Sequence, residues 1–231
     1  MKLGILIPTI FRPAGLRHTL ETLIATLPEF VDDDHFVISI AGEKEDVEAR
    51  AIAAEYVARF TPCPEPLMGP GYAWNVALSG APDCDAYFLA SDDMEFTDGW
   101  LEEVMIVLRD ELHGCGLVGI NDGRKDSGRI RAGSIEPTHY LMTRDFIVEH
   151  NGGLAAYPYP VDWTDLEANI RARLAGKWAY AERALVRHVW IGLHGGDEHF
   201  KRNQTKKREA KALYRMRFAA GFPDDVEPVL K

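Results

Sequence analysis

Two adjacent carboxylates, Asp92 and Asp93, follow the short apolar run Tyr87–Ala90 after a single serine, Ser91. Carboxylates placed side by side repel each other, and a bound divalent cation relieves that repulsion. Mg²⁺ and Mn²⁺ prefer hard oxygen ligands and complete their coordination with substrate phosphates. A turn capped by an acidic side chain would explain the same residues, so the pair alone leaves a metal site and a capped turn both open.

The elements that would position this pair alternate along the chain. Apolar runs predict strands, and the first four runs lie at 3–7, 36–40, 87–90 and 117–120, followed by 139–142 and 186–190. Apolar residues at helical spacing predict helices at 13–27, 46–60, 71–80 and 100–112, a helix from about Asp165 to Gly176, and a basic C-terminal helix. Strand, helix and strand in succession form a βαβ unit with a parallel sheet. In such sheets ligands bind at the carboxyl ends of strands, which is where Asp92 and Asp93 lie.

The composition indicates a soluble globular protein of the α/β class. The chain has 231 residues, of which 46% are hydrophobic and 27% charged. No apolar run reaches the roughly 18–20 residues that cross a bilayer, and the three separated cysteines fit free thiols in a reducing compartment. We therefore predict a cytoplasmic protein with one domain over residues 1–195 and a helical extension over 196–231 packed on the same domain.

Basic side chains are concentrated near the C-terminus. Residues 201–217 contain eight basic side chains and one acidic one, so this stretch carries +7 and the remainder −17 of a net charge of −10. The acidic total argues against tight non-specific binding of nucleic acid by the whole surface. The basic stretch itself is open to two interpretations, a solvated helix face or a cationic arm that contacts phosphates.

Five segments of the chain occur in the order found in inverting glycosyltransferases of the GT-A fold, and the sequence resembles family 2 of these enzymes. The segments are Ile5–Thr9 with Arg12, Gly71–Ala77, Ser91–Asp93 with the following Trp100–Glu102, Thr164–Glu167 with Arg171, and Arg187–Val189. They are similar to the first strand with its nucleotide-binding loop, the G-x-x-x-A-R-N-x-G segment, the metal-binding D-x-D, the helix that carries the catalytic base, and the late strand whose histidine completes the metal site.

The resemblance implies a fold and a reaction. The fold is a single GT-A-like, Rossmann-like domain with a mostly parallel central sheet flanked by helices. The reaction is metal-dependent transfer of a sugar, with inversion, from a nucleotide-diphosphate sugar to an acceptor hydroxyl. The implied donor-binding residues are Pro8, Thr9, Arg12, Gly42, Gly71, Trp74, Asn75 and Asp92.

The resemblance also implies roles for the acidic residues. Mn²⁺ or Mg²⁺, held by Asp92 or Asp93 together with His188, would stabilise the charge that builds on the departing diphosphate. Asp165, kept ionised by the dipole of the helix that it begins, would take the proton of the acceptor hydroxyl. Other candidates for this base are Asp162 and Glu167.

The sequence departs from the family's pattern at four positions. The second strand ends in Gly42-Glu43 rather than in D-D-G-S, and Trp74, Ala90 and Thr164 replace an arginine, the first acid of D-x-D and a glutamate. Two alternative functions therefore stay open: a nucleotidyltransferase, although the loop after the first strand lacks that class's glycines, and a catalytically inactive nucleotide-sugar-binding module. The acceptor could be a glycan, a protein or modified DNA.

Overall fold

The computed structural model describes residues 1–27, 35–65, 69–123, 137–189, 198, 201 and 205–231. Within these ranges the protein has an α/β architecture, a mixed eight-stranded sheet with helices on both faces. The strands are β1 (Leu3–Pro8), β2 (Phe36–Glu43), β3 (Arg59–Cys63), β4 (Ala86–Leu89), β5 (Met94–Phe96), β6 (Leu117–Asn121), β7 (Tyr140–Thr143) and β8 (Trp178–His188). The helices are α1 (Pro13–Ala25), α2 (Val47–Glu55), α3 (Pro70–Ser79), α4 (Trp100–Asp110), α5 (Arg144–His150), α6 (Thr164–Leu174) and α7 (Lys207–Ala219).

The strand order in the sheet is β3-β2-β1-β4-β7-β6-β8-β5. The first four strands run parallel, and β8 runs parallel to β6. In contrast, β7 is antiparallel to both of its neighbours, and the short β5 is antiparallel to β8. The prediction of a mostly parallel sheet flanked by helices is confirmed, and the antiparallel pairs make the sheet a mixed one.

Each face of the sheet packs against its own set of helices. Neighbouring residues of a strand point to opposite faces, so Phe88 joins the core under α1, α2 and α4 whereas Leu89 joins the core under α3, α5 and α6. Both side chains are fully buried, and burial of an apolar side chain of this size contributes about 1.5–3 kcal/mol. Helices thus cover both faces of the sheet. A ligand site is therefore expected where the strands end.

The pairing of the strands brings several carboxyl ends to the same edge of the sheet. The parallel strands β1, β2 and β4 end there at Pro8, Glu43 and Leu89. The strand β5 lies antiparallel to the end of β8, with Met94 opposite His188. The acidic pair, which lies between β4 and β5, is therefore next to the last residue of β8.

Three sequence expectations differ from the structure or lie outside it. The helix predicted over 46–60 is wrong at its end, because α2 stops at Glu55 and β3 follows; Pro62 is tolerated in β3 because this strand is at the edge of the sheet. The strand predicted at 186–190 coincides with the longer β8 only as far as His188, and Trp190 lies outside the described residues. The predicted domain boundary at 195/196 lies outside the described residues.

The described helices are too short or too polar to cross a bilayer. The cytoplasmic location and the division into a domain and an extension stay predictions.

Candidate functional site

Asp92 lies against the loop that follows β1. Thr9 Oγ1 donates a hydrogen bond of 2.8 Å to Asp92 Oδ2, and Arg12 Nη1 lies 3.4 Å from Oδ1. Burial, reinforced by the neighbouring Asp93 carboxylate, raises the pKa of Asp92 to about 6 against the opposing effect of Arg12. The first turn of α1 approaches the Asp92 backbone so closely that a Cβ on Gly15 would lie 2.5 Å from the carbonyl oxygen. The loop, the start of α1 and Asp92 therefore form one packed unit.

The loop between β1 and α1 is held in place by Asp46. This residue caps α2 by accepting a hydrogen bond from Ala49 N, and its other oxygen accepts one from Phe11 N at 2.6 Å. Phe11 has a φ of 48°, a left-handed conformation that costs a non-glycine residue roughly 1–3 kcal/mol. The cap thus stabilises a strained loop conformation that places Arg12 beside Asp92.

Asp93 faces the end of β8 instead. Its Oδ1 lies 3.0 Å from His188 Nε2 and accepts a hydrogen bond of 2.5 Å from Ser91 Oγ. Burial opposes the ionisation of Asp93, but the hydrogen bonds from His188 and Ser91 outweigh it and lower its pKa to about 2. The Asp93 carbonyl oxygen also accepts a hydrogen bond from Val189 N. Asp93 and His188 are therefore held together by both side chain and backbone.

The donor set suits a divalent cation that shares its coordination with a ligand. In the described parts of the chain, no three His, Cys, Asp or Glu side chains are grouped as a cation site. The Asp92 carboxylate is directed to Thr9 and Arg12. The remaining candidate ligands are the Asp93 carboxylate and the His188 imidazole, which lie within hydrogen-bond distance of each other. Two protein ligands are enough for Mn²⁺ or Mg²⁺ when phosphates and water supply the other ligands. The residues fit such a cation, and Asp92 as a further ligand stays a prediction.

The Nδ1 atom of His188 is buried without a hydrogen-bond partner among the described residues. The His139 ring packs edge-on against the His188 ring, with centroids 4.8 Å apart. Buried polar atoms that lack partners are rare in folded proteins and are concentrated at functional sites. A ligand or water molecule at the end of β8 would supply the partner that His188 Nδ1 lacks within the described residues.

Asp165 lies in the first turn of α6, after a strained turn. Asp162 and Trp163 both have positive φ values, 49° and 65°, a conformation that usually persists only where the surroundings enforce it. Burial, with the nearby Asp165 carboxylate as the next cause, raises the pKa of Tyr140 well above its usual value. Tyr140 is paired with Leu89, the last residue of β4. The half-buried Asp165 therefore lies close enough to Tyr140 of β7 to affect its ionisation.

Glu167 has a different environment from Asp165, although only one residue separates them. Its carboxylate is 2% exposed and accepts hydrogen bonds from Arg217 Nε and Nη2 at 3.0 and 2.9 Å, and from Arg171 Nε at 3.0 Å. The Tyr159 hydroxyl donates a further bond of 2.5 Å. A carboxylate so fully paired is a poor proton acceptor, and this argues against Glu167 as a base.

The remaining acidic candidate, Asp162, is exposed and lies 3.2 Å from Lys207 Nζ. Arg217 departs from the expectation that the basic stretch 201–217 is one exposed face or arm, because its side chain is only 1% exposed. Its guanidinium also donates to Asp225 and lies over the Tyr157 ring. These buried contacts connect the end of α7 to α6.

The other predicted donor-binding residues are mostly engaged in packing. Trp74 is buried and its Nε1 donates to the Ala90 carbonyl oxygen at 2.8 Å, so two departures from the family's motifs contact each other. Asn75 is also buried; its Nδ2 donates a hydrogen bond to the Ala156 carbonyl oxygen, and its Oδ1 accepts one from Ala156 N. Contact of either residue with a donor stays a prediction.

The remaining three donor-site candidates are a proline and two glycines. Gly71 packs so tightly that a Cβ would lie 2.4 Å from the Tyr157 carbonyl oxygen. Gly42 adjoins the loop after β1, since its Cβ would lie 3.1 Å from Thr9 Cγ2. Pro8 is paired with Ala41 at the end of β1. The structure thus brings Pro8, Gly42 and Thr9 together and places Gly71 on the side of α6.

Sequence reasoning missed two residues that shape the site. Asp46 carries a signal in the sequence, because an aspartate before a helical pattern is a frequent N-cap. Gly15 carries a weaker one, because a glycine inside a helical pattern often marks a close approach of another backbone. In both cases the contact that matters, with Phe11 N or with the Asp92 carbonyl, is visible only in the structure.

No protein-family model and no curated protein sequence matches the chain. Solved structures do resemble it. The mannosyltransferase PcManGT from Pyrobaculum calidifontis, in complex with GDP-Man and Mn²⁺, has a TM-score of 0.64 and 12% identity, over 84% of this chain and 59% of that one. Residues 1–349 of S. aureus TarS give a TM-score of 0.61 and 16% identity, over 78% of this chain and 58% of that one.

A third structure covers more of the chain. Glucosyl-3-phosphoglycerate synthase from Mycobacterium tuberculosis, in complex with Mn²⁺, UDP and phosphoglyceric acid, gives a TM-score of 0.61 and 14% identity over 97% of this chain and 80% of that one. The chain spans little more than half the length of the TarS and mannosyltransferase chains. Likenesses at such low identity concern the fold, and the fold of this protein is a GT-A-like glycosyltransferase fold.

Proposed function

We propose that the protein is a metal-dependent inverting glycosyltransferase that moves a sugar from a nucleoside-diphosphate sugar to an acceptor hydroxyl. One observation carries the proposal: in a GT-A-like fold, Asp93 lies 3.0 Å from His188 at the sheet edge where Asp92 contacts the loop after β1. Solved structures of similar fold hold UDP, UDP-GlcNAc, or GDP-Man with Mn²⁺. Their ligands support a nucleoside diphosphate as the leaving group here.

The residues at this edge have complementary tasks in binding the donor. Arg12 brings positive charge to the place where a diphosphate would lie, and Thr9 fixes the orientation of Asp92. Asp93 and His188 would hold Mn²⁺ or Mg²⁺, and a bound cation would act as a Lewis acid that stabilises the departing diphosphate. Asp46 keeps the loop in a single conformation, so little ordering is needed when the donor binds.

Asp165 is the proposed general base. Inversion requires a proton acceptor on the sugar face opposite the leaving group. The acceptor oxygen forms a bond to the anomeric carbon, the bond to the diphosphate breaks, and the hydroxyl proton passes to Asp165. Its place in the first turn of α6 gives the carboxylate a favourable interaction with the positive end of the helix dipole. The pairing of Glu167 with two arginines leaves Asp165 as the best-placed acid of the three candidates.

The proposal is tested by donor hydrolysis and transfer with a panel of UDP- and GDP-sugars and Mn²⁺. We expect release of the nucleoside diphosphate from at least one donor, and a loss of about 100-fold or more in Asp165→Asn with unchanged diphosphate affinity. The control is Asp145→Asn, which alters an exposed acid in the first turn of α5.

Three results would contradict parts of the proposal. Release of pyrophosphate instead of the nucleoside diphosphate indicates a nucleotidyltransferase. Donor binding without turnover by any acceptor, water included, indicates a binding module, which is the alternative that Ala90 and the missing aspartate at the end of the second strand favour. Full activity of Asp165→Asn removes Asp165 as the base while leaving the donor site in place.

A further inference from the structure

The inner face of α7 is attached along the segment that leads to Asp165. At the end of the helix, Arg217 makes its bidentate pair with Glu167. In the middle, the Tyr214 ring stacks on Trp163 with centroids 5.0 Å apart and an interplanar angle of 23°. These contacts fix α7 beside the helix that carries the proposed catalytic base.

The outer face of α7 is basic. Lys207, Lys211 and Arg215 follow one another at four-residue spacing, so they share one face of the helix and rise about 6 Å per step. Arg208 lies beside them, and all four side chains are exposed. Among the described residues, Arg208, Lys211 and Arg215 form no ion pair, and Lys207 forms only the exposed pair with Asp162. This basic face belongs to a chain with a net charge of −10, so it is a localised cationic surface.

An aromatic ring lies within the basic face. Phe218 is 57% exposed and follows Arg215 by three residues, which puts both on the same side of the helix. Its ring is stacked on Tyr214 with centroids 6.1 Å apart, which restricts its motion. The other exposed apolar side chain of α7, Met216, projects about 160° away around the helix axis from Phe218.

This arrangement discriminates between two polyanionic partners. Helices that bind at a membrane surface have a continuous apolar face opposite the basic one. Opposite its basic face, α7 instead presents the exposed Glu209 beside Met216. Surfaces that bind single-stranded nucleic acid combine a row of cations for the backbone with exposed aromatic rings on which bases stack. The basic face with Phe218 matches the second description.

We propose that the outer face of α7 binds a single-stranded nucleic acid segment, one nucleotide of which supplies the acceptor hydroxyl. The assignment of the acceptor rests on the proposed function, with the proton passing to Asp165 and the sugar to the nucleotide oxygen as described above. A single strand is favoured because a base inside a duplex must be unstacked before an enzyme can reach it. The four cations and Phe218 would hold the strand while one unstacked nucleotide enters the site.

The test is the fluorescence anisotropy of a labelled mixed-sequence oligodeoxynucleotide of about 20 nucleotides, titrated with the full chain between about 50 and 200 mM NaCl. Each phosphate contact contributes about 0.7 to the slope of log K against log salt, so we expect Lys211→Glu/Arg215→Glu to lower the slope by about 1.4. We also expect roughly tenfold weaker binding in Phe218→Ala through loss of base stacking. The control is Arg109→Glu/Arg183→Glu, which makes the same change in net charge at side chains that are 72% and 76% exposed.

The outcomes separate this inference from the proposed function. The inference is overturned if the two double variants bind the oligonucleotide with equal affinity, or if the wild type does not bind it. Binding of the wild type to phosphatidylserine vesicles instead of the oligonucleotide would also overturn it. Binding of UDP and GDP with Mn²⁺ is measured on the same proteins. If the wild type binds the oligonucleotide but neither UDP nor GDP, the donor site is refuted and the basic face remains a nucleic-acid surface.

Discussion

Replacement of Arg217 by methionine would test the connection between α7 and α6. Arg217 is 1% exposed and donates two hydrogen bonds to Glu167, with a further bond to Asp225. Removal of one partner of a buried ion pair costs about 3–5 kcal/mol, because the other charge is left buried. Arg171 and the Tyr159 hydroxyl still face Glu167, so we expect the lower end, about 3 kcal/mol. For a chain of this length that corresponds to a decrease in Tm of about 6–12 °C.

Urea unfolding followed by circular dichroism measures this loss, with Arg215→Met as the exposed control on the same helix. The double variant Arg217→Met/Glu167→Gln removes the uncompensated charge, so we expect it to be more stable than Arg217→Met alone. An Arg217→Met protein whose free energy of unfolding lies within about 0.5 kcal/mol of the wild type would refute the buried pair. A double variant less stable than the single one would refute the charge argument.

Three further substitutions probe the residues that position the site. Gly15→Ala would place a Cβ 2.5 Å from the Asp92 carbonyl oxygen. We therefore expect the free energy of unfolding to fall by about 1–3 kcal/mol and calorimetry to show weaker Mn²⁺-dependent nucleotide binding. A gain in stability, as at an unhindered helical position, would contradict the contact. Thr9→Val removes the 2.8 Å bond to Asp92, and urea unfolding should show a loss of about 1–2 kcal/mol, whereas a neutral effect would mean that the bond is not formed. Asn75→Ala leaves the buried N–H and C=O of Ala156 without their hydrogen-bond partners. Thermal unfolding should show a loss of stability of about 2–3 kcal/mol, and an unchanged Tm would contradict these two hydrogen bonds.

Three strands of the parallel half of the sheet were predictable because each contains an uninterrupted or nearly uninterrupted apolar run. The runs that became β1, β2 and β4 contain no alternation, the pattern of strands covered on both faces. The edge strand β3 was not predictable in the same way, since Pro62 and the exposed Arg59 resemble a loop until the strand is known to lie at an edge. The long β8 contains exposed charged residues in its middle, which interrupt any period-two pattern.

The candidate site was predictable where chemistry is carried by adjacent residues. Asp92 and Asp93 follow a recognisable strand, and the sheet topology brings His188 next to them. What the sequence does not contain is the direction of each side chain: the two aspartates diverge, one to the loop after β1 and one to β8. Nor could it show that Arg217, in a run of cations, is buried against Glu167, because these partners are separated by 50 residues.

Calorimetric titration of UDP and GDP into the protein, with Mn²⁺ or with EDTA, tests most directly whether Asp93 and His188 hold a cation that binds a diphosphate. The account predicts that at least one nucleotide binds with Mn²⁺ and not with EDTA, and that Asp93→Asn and His188→Ala abolish this binding while the exposed-site control Asp110→Asn preserves it. Equal binding with and without Mn²⁺, or full cation-dependent binding by Asp93→Asn, would contradict it.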